Sequence, residues 1–214
     1  NSPYNLNVTF TTLWLYNFTD LPHPFSPNND GQFDTTTISA SITASSNWTI
    51  NLKDSLNNPV RAFTGTGVSI NKVWDGKDSS GNLVPDGIYT YTIDAQDPVT
   101  GSTAAQVSGQ VTVDNILPTA SITEPVSGAS LAGTVAIKGA FDDTNFAIAY
   151  LYYGQGTSPT NWSWIVYGYL GSPVPEPGLL ANWDTKNLSN GDYVISLIVY
   201  DKAQNKKIVD LPVK

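Results

Sequence analysis

Residues 73–95, VWDGKDSSGNLVPDGIYTYTIDA, decide the fold class of this chain. The stretch ends in residues 88–95, where apolar and polar residues alternate, and this period of two puts every second side chain on one buried face of a β-strand. Residues 75–87 are polar and contain glycine at three points, which marks a loop between two strands. Pro85, Asp86 and Gly87 favour a tight turn into the second strand. The stretch therefore predicts two strands joined by a long polar loop.

The same periodicity continues along the rest of the 214-residue chain. Apolar residues come in short runs rich in Thr, Val, Ile and Tyr, which strands favour, and no segment keeps a helical spacing for three turns. The sequence predicts an all-β protein, with a first set of strands near residues 4–10, 13–18, 38–44, 48–52, 60–63, 68–74, 88–95 and 107–113. A second set is predicted near residues 120–122, 135–137, 147–153, 162–169, 193–200 and 208–213.

Residues 114–119, DNILPT, separate the two sets and predict a short joint stiffened by Pro118. Turn signals recur on both sides at a spacing of roughly 8–12 residues, as in a β-sandwich. We therefore predict two tandem immunoglobulin-like β-sandwich domains, at residues 21–114 and 115–214. Residues 1–20 are predicted to supply opening strands, either to the first sandwich or in exchange with a neighbouring chain. Residues 154–181, rich in Trp, Tyr and Pro, are predicted to be an insertion in the second sandwich.

Charge and residue inventory exclude several classes of function. Only 13% of the residues are charged, the net charge is −8 and the isoelectric point is near 4.3, so no basic surface is available for nucleic acid or anionic lipid. The chain has no Cys and one His, His23, which excludes disulfides, thiol chemistry and histidine-based triads. No apolar run approaches the length of a membrane span. These features predict a non-catalytic protein located outside the cell or at its surface.

Two stretches resemble known families. Residues 24–34, 60–61 and 73–91 together resemble the immunoglobulin-like module of the flagellar hook-capping protein, across about residues 21–113. Residues 181–205, ANWDTKNLSNGDYVISLIVYDKAQN, are similar to the last strands of bacterial immunoglobulin-like or fibronectin-type repeats, across about residues 118–214. Such modules serve as spacers, stabilisers, anchors and subunits, so the resemblance implies a fold and does not name one function.

Residues 26–34, SPNNDGQFD, carry side-chain oxygens at alternate positions around Gly31. The pattern departs from a helical calcium-hand loop, because Thr37 stands where the bidentate Glu belongs. Two interpretations stay open: a calcium site made by Asn28, Asp30 and Asp34, or a turn in which these side chains accept hydrogen bonds from backbone amides. A second oxygen cluster is predicted to be a hairpin turn, and it consists of Asp75, Asp78, Ser80 and Asn82.

Four aromatic residues of the insertion are predicted to form a binding surface: Trp162, Trp164, Tyr167 and Tyr169. Trp162 and Trp164 lie two residues apart, so they would share one face of a strand and stack on sugar rings. The alternative is that the rings pack against their own sandwich or against another protein.

The function predicted from the sequence is that of a structural or assembly module of a secreted protein. It would act as a spacer, a stalk or a filament subunit, with protein partners that include copies of itself. The alternative is an accessory domain pair of a secreted hydrolase, which binds carbohydrate weakly through the aromatic insertion.

Overall fold

A computed structural model describes residues 12–168 and 170–214. In that part of the chain there are twelve strands and no helix, and hence no helix that could span a membrane. The strands are β1 (Leu15–Leu21), β2 (Thr36–Lys53), β3 (Pro59–Trp74), β4 (Gly87–Gln96), β5 (Val107–Val113), β6 (Thr119–Glu124), β7 (Thr134–Asp142), β8 (Phe146–Gln155), β9 (Ser163–Trp164), β10 (Val174–Asp184), β11 (Tyr193–Asp201) and β12 (Lys206–Val213). The chain divides into two compact units, Asn1–Asp114 and Asn115–Lys214, which we call unit 1 and unit 2.

Unit 1 is built around two long antiparallel strands, β2 and β3, which pair along most of their lengths. The first half of β2 also pairs with β1, and its second half pairs with β4, which continues to β5. The register between β2 and β3 shifts between the pairs Ser41↔Ser69 and Ser46↔Gly67, so that β2 has extra residues there. A bulge of this kind bends a strand and carries it from one layer of a sandwich to the other.

This bend explains a difference from the sequence-based prediction. The sequence predicted separate strands near residues 38–44 and 48–52, and again near 60–63 and 68–74. The structure has one continuous strand in each place, because the pairing resumes after the bulge. The core side of β2 is unchanged by the bend, since Ile38, Ile42, Ile50 and Leu52 are all buried. Alternation alone therefore identified the buried face correctly and could not show that the strand continues.

Unit 2 is a sandwich of two antiparallel sheets with strand orders β10-β7-β6 and β12-β11-β8-β9. The order of the strands in the sheets is that of an immunoglobulin-like sandwich. Its core is formed by buried apolar side chains from both sheets: Ile137, Phe141, Leu151, Trp183, Ile195, Leu197 and Val199. The all-β prediction and the prediction of two tandem immunoglobulin-like sandwiches are thus confirmed.

The segment predicted as an insertion, residues 154–181, contains part of the sandwich itself. β8 extends to Gln155, and β10 begins at Val174 and pairs with β7 through residues such as Ala181, opposite Ile137. Proline donates no ladder hydrogen bond, so Pro175 and Pro177 are unusual residues for a strand. In the structure β10 lies at the edge of its sheet, and its register shifts between Val174 and Gly178. The prolines are accommodated there without breaking the rest of the strand.

Each unit contains a tyrosine whose hydroxyl group donates a hydrogen bond to the backbone of the preceding loop. The Tyr89 hydroxyl donates to the carbonyl oxygen of Pro85 at 2.6 Å, and the Tyr193 hydroxyl donates to that of Ser189 at 2.8 Å. Each tyrosine lies near the start of its strand and follows a glycine with positive φ, Gly87 at 150° and Gly191 at 152°. This arrangement is the tyrosine corner of immunoglobulin-like sandwiches, and it ties a loop to the strand that follows it.

Candidate functional site

The loop predicted to bind calcium is closed by its own side chains. The Asp34 carboxylate accepts hydrogen bonds from the amides of Asn29 and Gly31, at 2.6 and 2.8 Å. Asp30 accepts from the Gln32 amide at 2.8 Å, and the side-chain oxygen of Asn28 accepts from the Asp30 amide at 2.9 Å. These contacts are those expected of the turn interpretation. Calcium binding by Asn28, Asp30 and Asp34 stays a prediction, because it depends on whether the ion displaces these amides.

The second oxygen cluster forms a hairpin turn, and the same turn occurs three times in the structure. In each copy the amide of an Asn donates to the carboxylate of the Asp four residues earlier, at 2.8, 2.9 and 2.8 Å. The Asn side-chain amide donates to the other oxygen of that carboxylate. The three pairs are Asp54 with Asn58, Asp78 with Asn82, and Asp201 with Asn205. The hairpin prediction for residues 75–82 is thus confirmed, and the Asp-x-x-x-Asn spacing is the signal that identifies the other two copies.

These turns have an electrostatic consequence in unit 1. Hydrogen bonds from Asn58 lower the pKa of the Asp54 carboxyl, and the backbone hydrogen bond from Asn82 is the largest cause that lowers the pKa of Asp78. Both carboxylates are therefore stabilised in the charged form that the turn requires. The remaining acid of the cluster, Asp75, lies 3.6 Å from Arg61 and 3.7 Å from Lys77.

The only histidine belongs to a polar cluster that the sequence did not indicate. The Tyr91 hydroxyl donates to one carboxylate oxygen of Asp20 at 3.0 Å, and Nδ1 of His23 lies 3.0 Å from the other. Burial raises the pKa of Asp20, and the hydrogen bond from Tyr91 opposes that change. Burial also raises the pKa of Tyr91 far above its ordinary range, so its hydroxyl stays a donor. The hydrogen bond between Tyr91 and Asp20 links β4 to β1, and His23 contacts the same carboxylate.

Trp164 belongs to a group of contacting aromatic rings whose members differ from the four residues predicted from the sequence. Trp164, on β9, lies over Tyr152 with ring centroids 4.4 Å apart, and contacts Tyr150 at 5.6 Å. Tyr200 and Tyr167 extend the group, at 6.3 Å from Tyr150 and from Trp164 respectively. We call Tyr150, Tyr152, Trp164, Tyr167 and Tyr200 the aromatic face.

Two of the four predicted residues are not part of the aromatic face. Trp162 precedes β9 and makes no ring contact with other described aromatic residues, while Tyr169 lies outside the described residues. The sequence did not indicate that tyrosines of β8 and β11 contact Trp164. Because β8 has aromatic residues on both of its faces, its pattern did not show which of them point away from the core. Tyr153 packs in the core against Trp183, at 5.0 Å, whereas Tyr150 and Tyr152 point to the other side of the sheet.

One protein-family model matches most of unit 1. Residues 19–113 match the family model of the CHU_C type IX secretion signal domain. The matched residues nearly coincide with those that resemble the hook-capping module, and a relationship to the hook-capping protein itself stays a prediction. No curated protein is significantly similar to the chain in sequence.

The solved structures that are similar to the chain include the following three. Dimeric latent PorU from Porphyromonas gingivalis is 10% identical, with a TM-score of 0.34, over 95% of this chain and 24% of PorU. A Salmonella alpha-2-macroglobulin mutant is 8% identical, with a TM-score of 0.37, over 95% of this chain and 15% of that protein. A chimeric titin Z1Z2 tandem is 10% identical, with a TM-score of 0.28, over 92% of this chain and 97% of the tandem. The chain thus spans about a quarter or less of the first two proteins.

The family match bears on location. The domain that matches residues 19–113 is described as a type IX secretion signal, and it covers all five strands of unit 1 except the first residues of β1. The chain is therefore part of a secreted protein, located outside the cell or at its surface, as the sequence predicts.

Proposed function

We propose that the chain is a non-catalytic structural and assembly segment of a secreted protein, in which unit 1 is the part that the secretion system recognises. The observation that carries this proposal is the match of residues 19–113 to a type IX secretion signal domain. Unit 2, an immunoglobulin-like sandwich, then serves as a spacer or a binding module attached to unit 1.

The use of the acidic side chains supports a structural role. Hydrolytic chemistry needs carboxylates that are available to a substrate. Asp34, Asp54, Asp78 and Asp201 instead accept backbone amides at 2.6 to 2.9 Å and close their own turns. Asp20 is occupied by Tyr91 and His23. These acids thus stabilise turns and strand contacts of the chain's own fold.

The pairing of β1 limits which residues could be exchanged with a neighbouring chain in an assembly. Leu15–Leu21 pairs with β2 of the same chain, and Leu13 and Leu15 are buried in the core of unit 1. This pairing favours the interpretation in which residues 13–18 belong to their own sandwich. Exchange with a neighbouring chain is left as a proposal for residues 1–11, which lie outside the described residues.

Export of a reporter tests the secretion role. The whole chain is fused to the C-terminal end of a reporter that carries a periplasmic signal sequence, and is expressed in a bacterium with a type IX system. We expect the reporter in the medium or on the cell surface, whereas the reporter without the chain stays in the periplasm. A strain that lacks the system is the second control. Retention of the fusion, or equal release from both strains, contradicts the proposal.

A further inference from the structure

The aromatic face lies on the outer side of the four-stranded sheet of unit 2. On β8, Leu151 points into the core, while Tyr150 and Tyr152 on either side of it point outward. β9 brings Trp164 directly opposite Tyr152 in the ladder, and β11 contributes Tyr200. The sheet itself therefore positions four of the five rings, and only Tyr167 is supplied by a loop.

The rings hold one another in fixed orientations. Trp164 is 4.4 Å from Tyr152 and meets Tyr150 edge to face at an interplanar angle of 60°. Tyr150 in turn meets Tyr200 edge to face, at 79°. Trp164 is nevertheless 40% exposed, and Tyr167, 6.3 Å from it, is 94% exposed. A ring as exposed as Tyr167 adds almost nothing to the core, so stability does not account for its position.

Charge narrows the kind of ligand that suits this surface. All five residues of the aromatic face are uncharged, in a chain with a net charge of −8. The net negative charge of the chain disfavours a polyanion, although Lys206 lies opposite Tyr200 in the ladder, and a basic partner would find no carboxylate among the five side chains. Burial, followed by the proximity of Tyr150 and Tyr200, raises the pKa of Tyr152, so its hydroxyl keeps its proton. The surface thus combines flat apolar ring faces with neutral hydroxyl groups.

We propose that the aromatic face binds a neutral polysaccharide. A pyranose ring has an apolar side formed by its C–H groups and a rim of hydroxyls. Trp164 would stack on the apolar side of one sugar and Tyr167 on that of its neighbour. The tyrosine hydroxyls would exchange hydrogen bonds with the rim. The proposal concerns unit 2 only and does not depend on the secretion role of unit 1, so that either can fail without the other.

Affinity electrophoresis of the whole chain tests this inference. The probes are three neutral polysaccharides (hydroxyethylcellulose, glucomannan and amylopectin) and two anionic ones (polygalacturonate and heparin). We expect at least one neutral polysaccharide to retard the chain, and no anionic one to do so. Tyr167→Ala should weaken that binding at least tenfold without changing the thermal melting curve, because the side chain is almost fully exposed. Trp164→Ala should abolish it.

Trp162→Ala is the matched control. Trp162 is 41% exposed and lies two residues from Trp164, and it has no part in the aromatic face. Its substitution should change the affinity less than twofold. The proposal is overturned if no neutral polysaccharide retards the chain, or if Trp162→Ala weakens binding as much as Tyr167→Ala. It is also overturned if sedimentation velocity shows self-association that Trp164→Ala removes, because the face is then a protein contact.

Discussion

Unit 1 and unit 2 place a tryptophan and a tyrosine at corresponding points of their sandwiches, but only one of the two indoles is hydrogen-bonded. Trp74 meets Tyr89 at 5.3 Å and 70°, and Trp183 meets Tyr193 at 6.1 Å and 74°. The indole nitrogen of Trp74 donates to the Lys77 carbonyl at 2.9 Å. That of Trp183 is buried and has no hydrogen-bond partner among the described residues.

The loops that follow the two tryptophans account for this difference. In unit 1 the loop after β3 turns back over the ring and brings the carbonyl of Lys77 to it. In unit 2 the amide and the hydroxyl of Thr185 both bind the carbonyl of Gly133, at 2.8 and 2.9 Å, so the chain leaves in another direction. The sheets thus place the tryptophan and tyrosine rings, whereas the loop after each tryptophan decides whether the buried indole N–H has a hydrogen-bond acceptor.

Replacement of each tryptophan by phenylalanine should have the largest effect on the comparison. Trp74→Phe removes volume and the shorter of two hydrogen bonds to the Lys77 carbonyl, which Arg61 also donates to at 3.3 Å, so we expect unit 1 to lose about 3 kcal/mol. Trp183→Phe removes similar volume but also an unpaired buried donor, so the loss for unit 2 should be about 1 to 2 kcal/mol. Urea unfolding, with hydrogen exchange to assign each transition to a unit, measures both. Equal losses in free energy of unfolding for the two variants would show that the hydrogen bond supplied by the unit 1 loop does not contribute to the difference between the units.

The tyrosine corners should respond equally, in contrast to the tryptophans. Tyr89→Phe and Tyr193→Phe each remove one hydroxyl that donates to a backbone carbonyl, at 2.6 and 2.8 Å. We expect each unit to lose about 1 kcal/mol in free energy of unfolding. The same unfolding experiment applies. A loss in one unit that exceeds the other by more than twofold would mean that the two corners are not equivalent.

In the three Asp-x-x-x-Asn turns, substitutions at the same position should change the stability of the two units in opposite directions. The fourth residue of each has positive φ: Asn57, Gly81 and Gln204, at 65°, 85° and 68°. Gln204→Gly should stabilise unit 2 and Gly81→Ala should destabilise unit 1, each by about 0.5 to 1 kcal/mol. A Cβ at Gly81 meets no atom within 4 Å, so the change tests backbone conformation alone. Melting temperatures that move in the same direction for both variants would contradict this account.

The smallest expected effect is on the pH dependence of unit 1. Hydrogen bonds lower the pKa of Asp54, Asp78 and Asp97 below 3.8, so their contribution is present above that pH and lost as the pH falls through the lowered values. Burial raises the pKa of Asp20, so its contribution has the opposite sign: it is present below pH 3.8 and lost as the pH rises through the raised value.

Melting curves between pH 2 and 6 measure this balance. The triple variant Asp54→Asn, Asp78→Asn, Asp97→Asn should flatten the loss of stability of unit 1 in acid. Asp20→Asn should make that loss steeper, because it removes a contribution that favours low pH. If the triple variant loses stability in acid as steeply as the unchanged chain, other groups dominate the acid response.

Sequence reasoning reached the fold because alternation is a local property. The pattern at Ile88 to Ala95 requires one buried face, and that face is buried in the structure. Pairing is not local, so the sequence could not show that β2 continues past Ser46 or that the proline-rich β10 belongs to a sheet. The aromatic face illustrates the same limit. Trp164 was found from its own segment, whereas Tyr152 and Tyr200 join it only through the ladder.

The bend shared by β2 and β3 has a consequence for the order of folding. Both layers of unit 1 contain part of one hairpin, whose strands β2 and β3 are joined by the turn between Asp54 and Asn58, so the pairs next to that turn are short in sequence. A local hairpin closes with little loss of chain entropy, whereas β1, β4 and β5 must find it from farther away. We expect substitutions at Ile50 and Phe63, which face each other in that hairpin, to slow folding. Substitutions at Val111, on β5, should mainly speed unfolding.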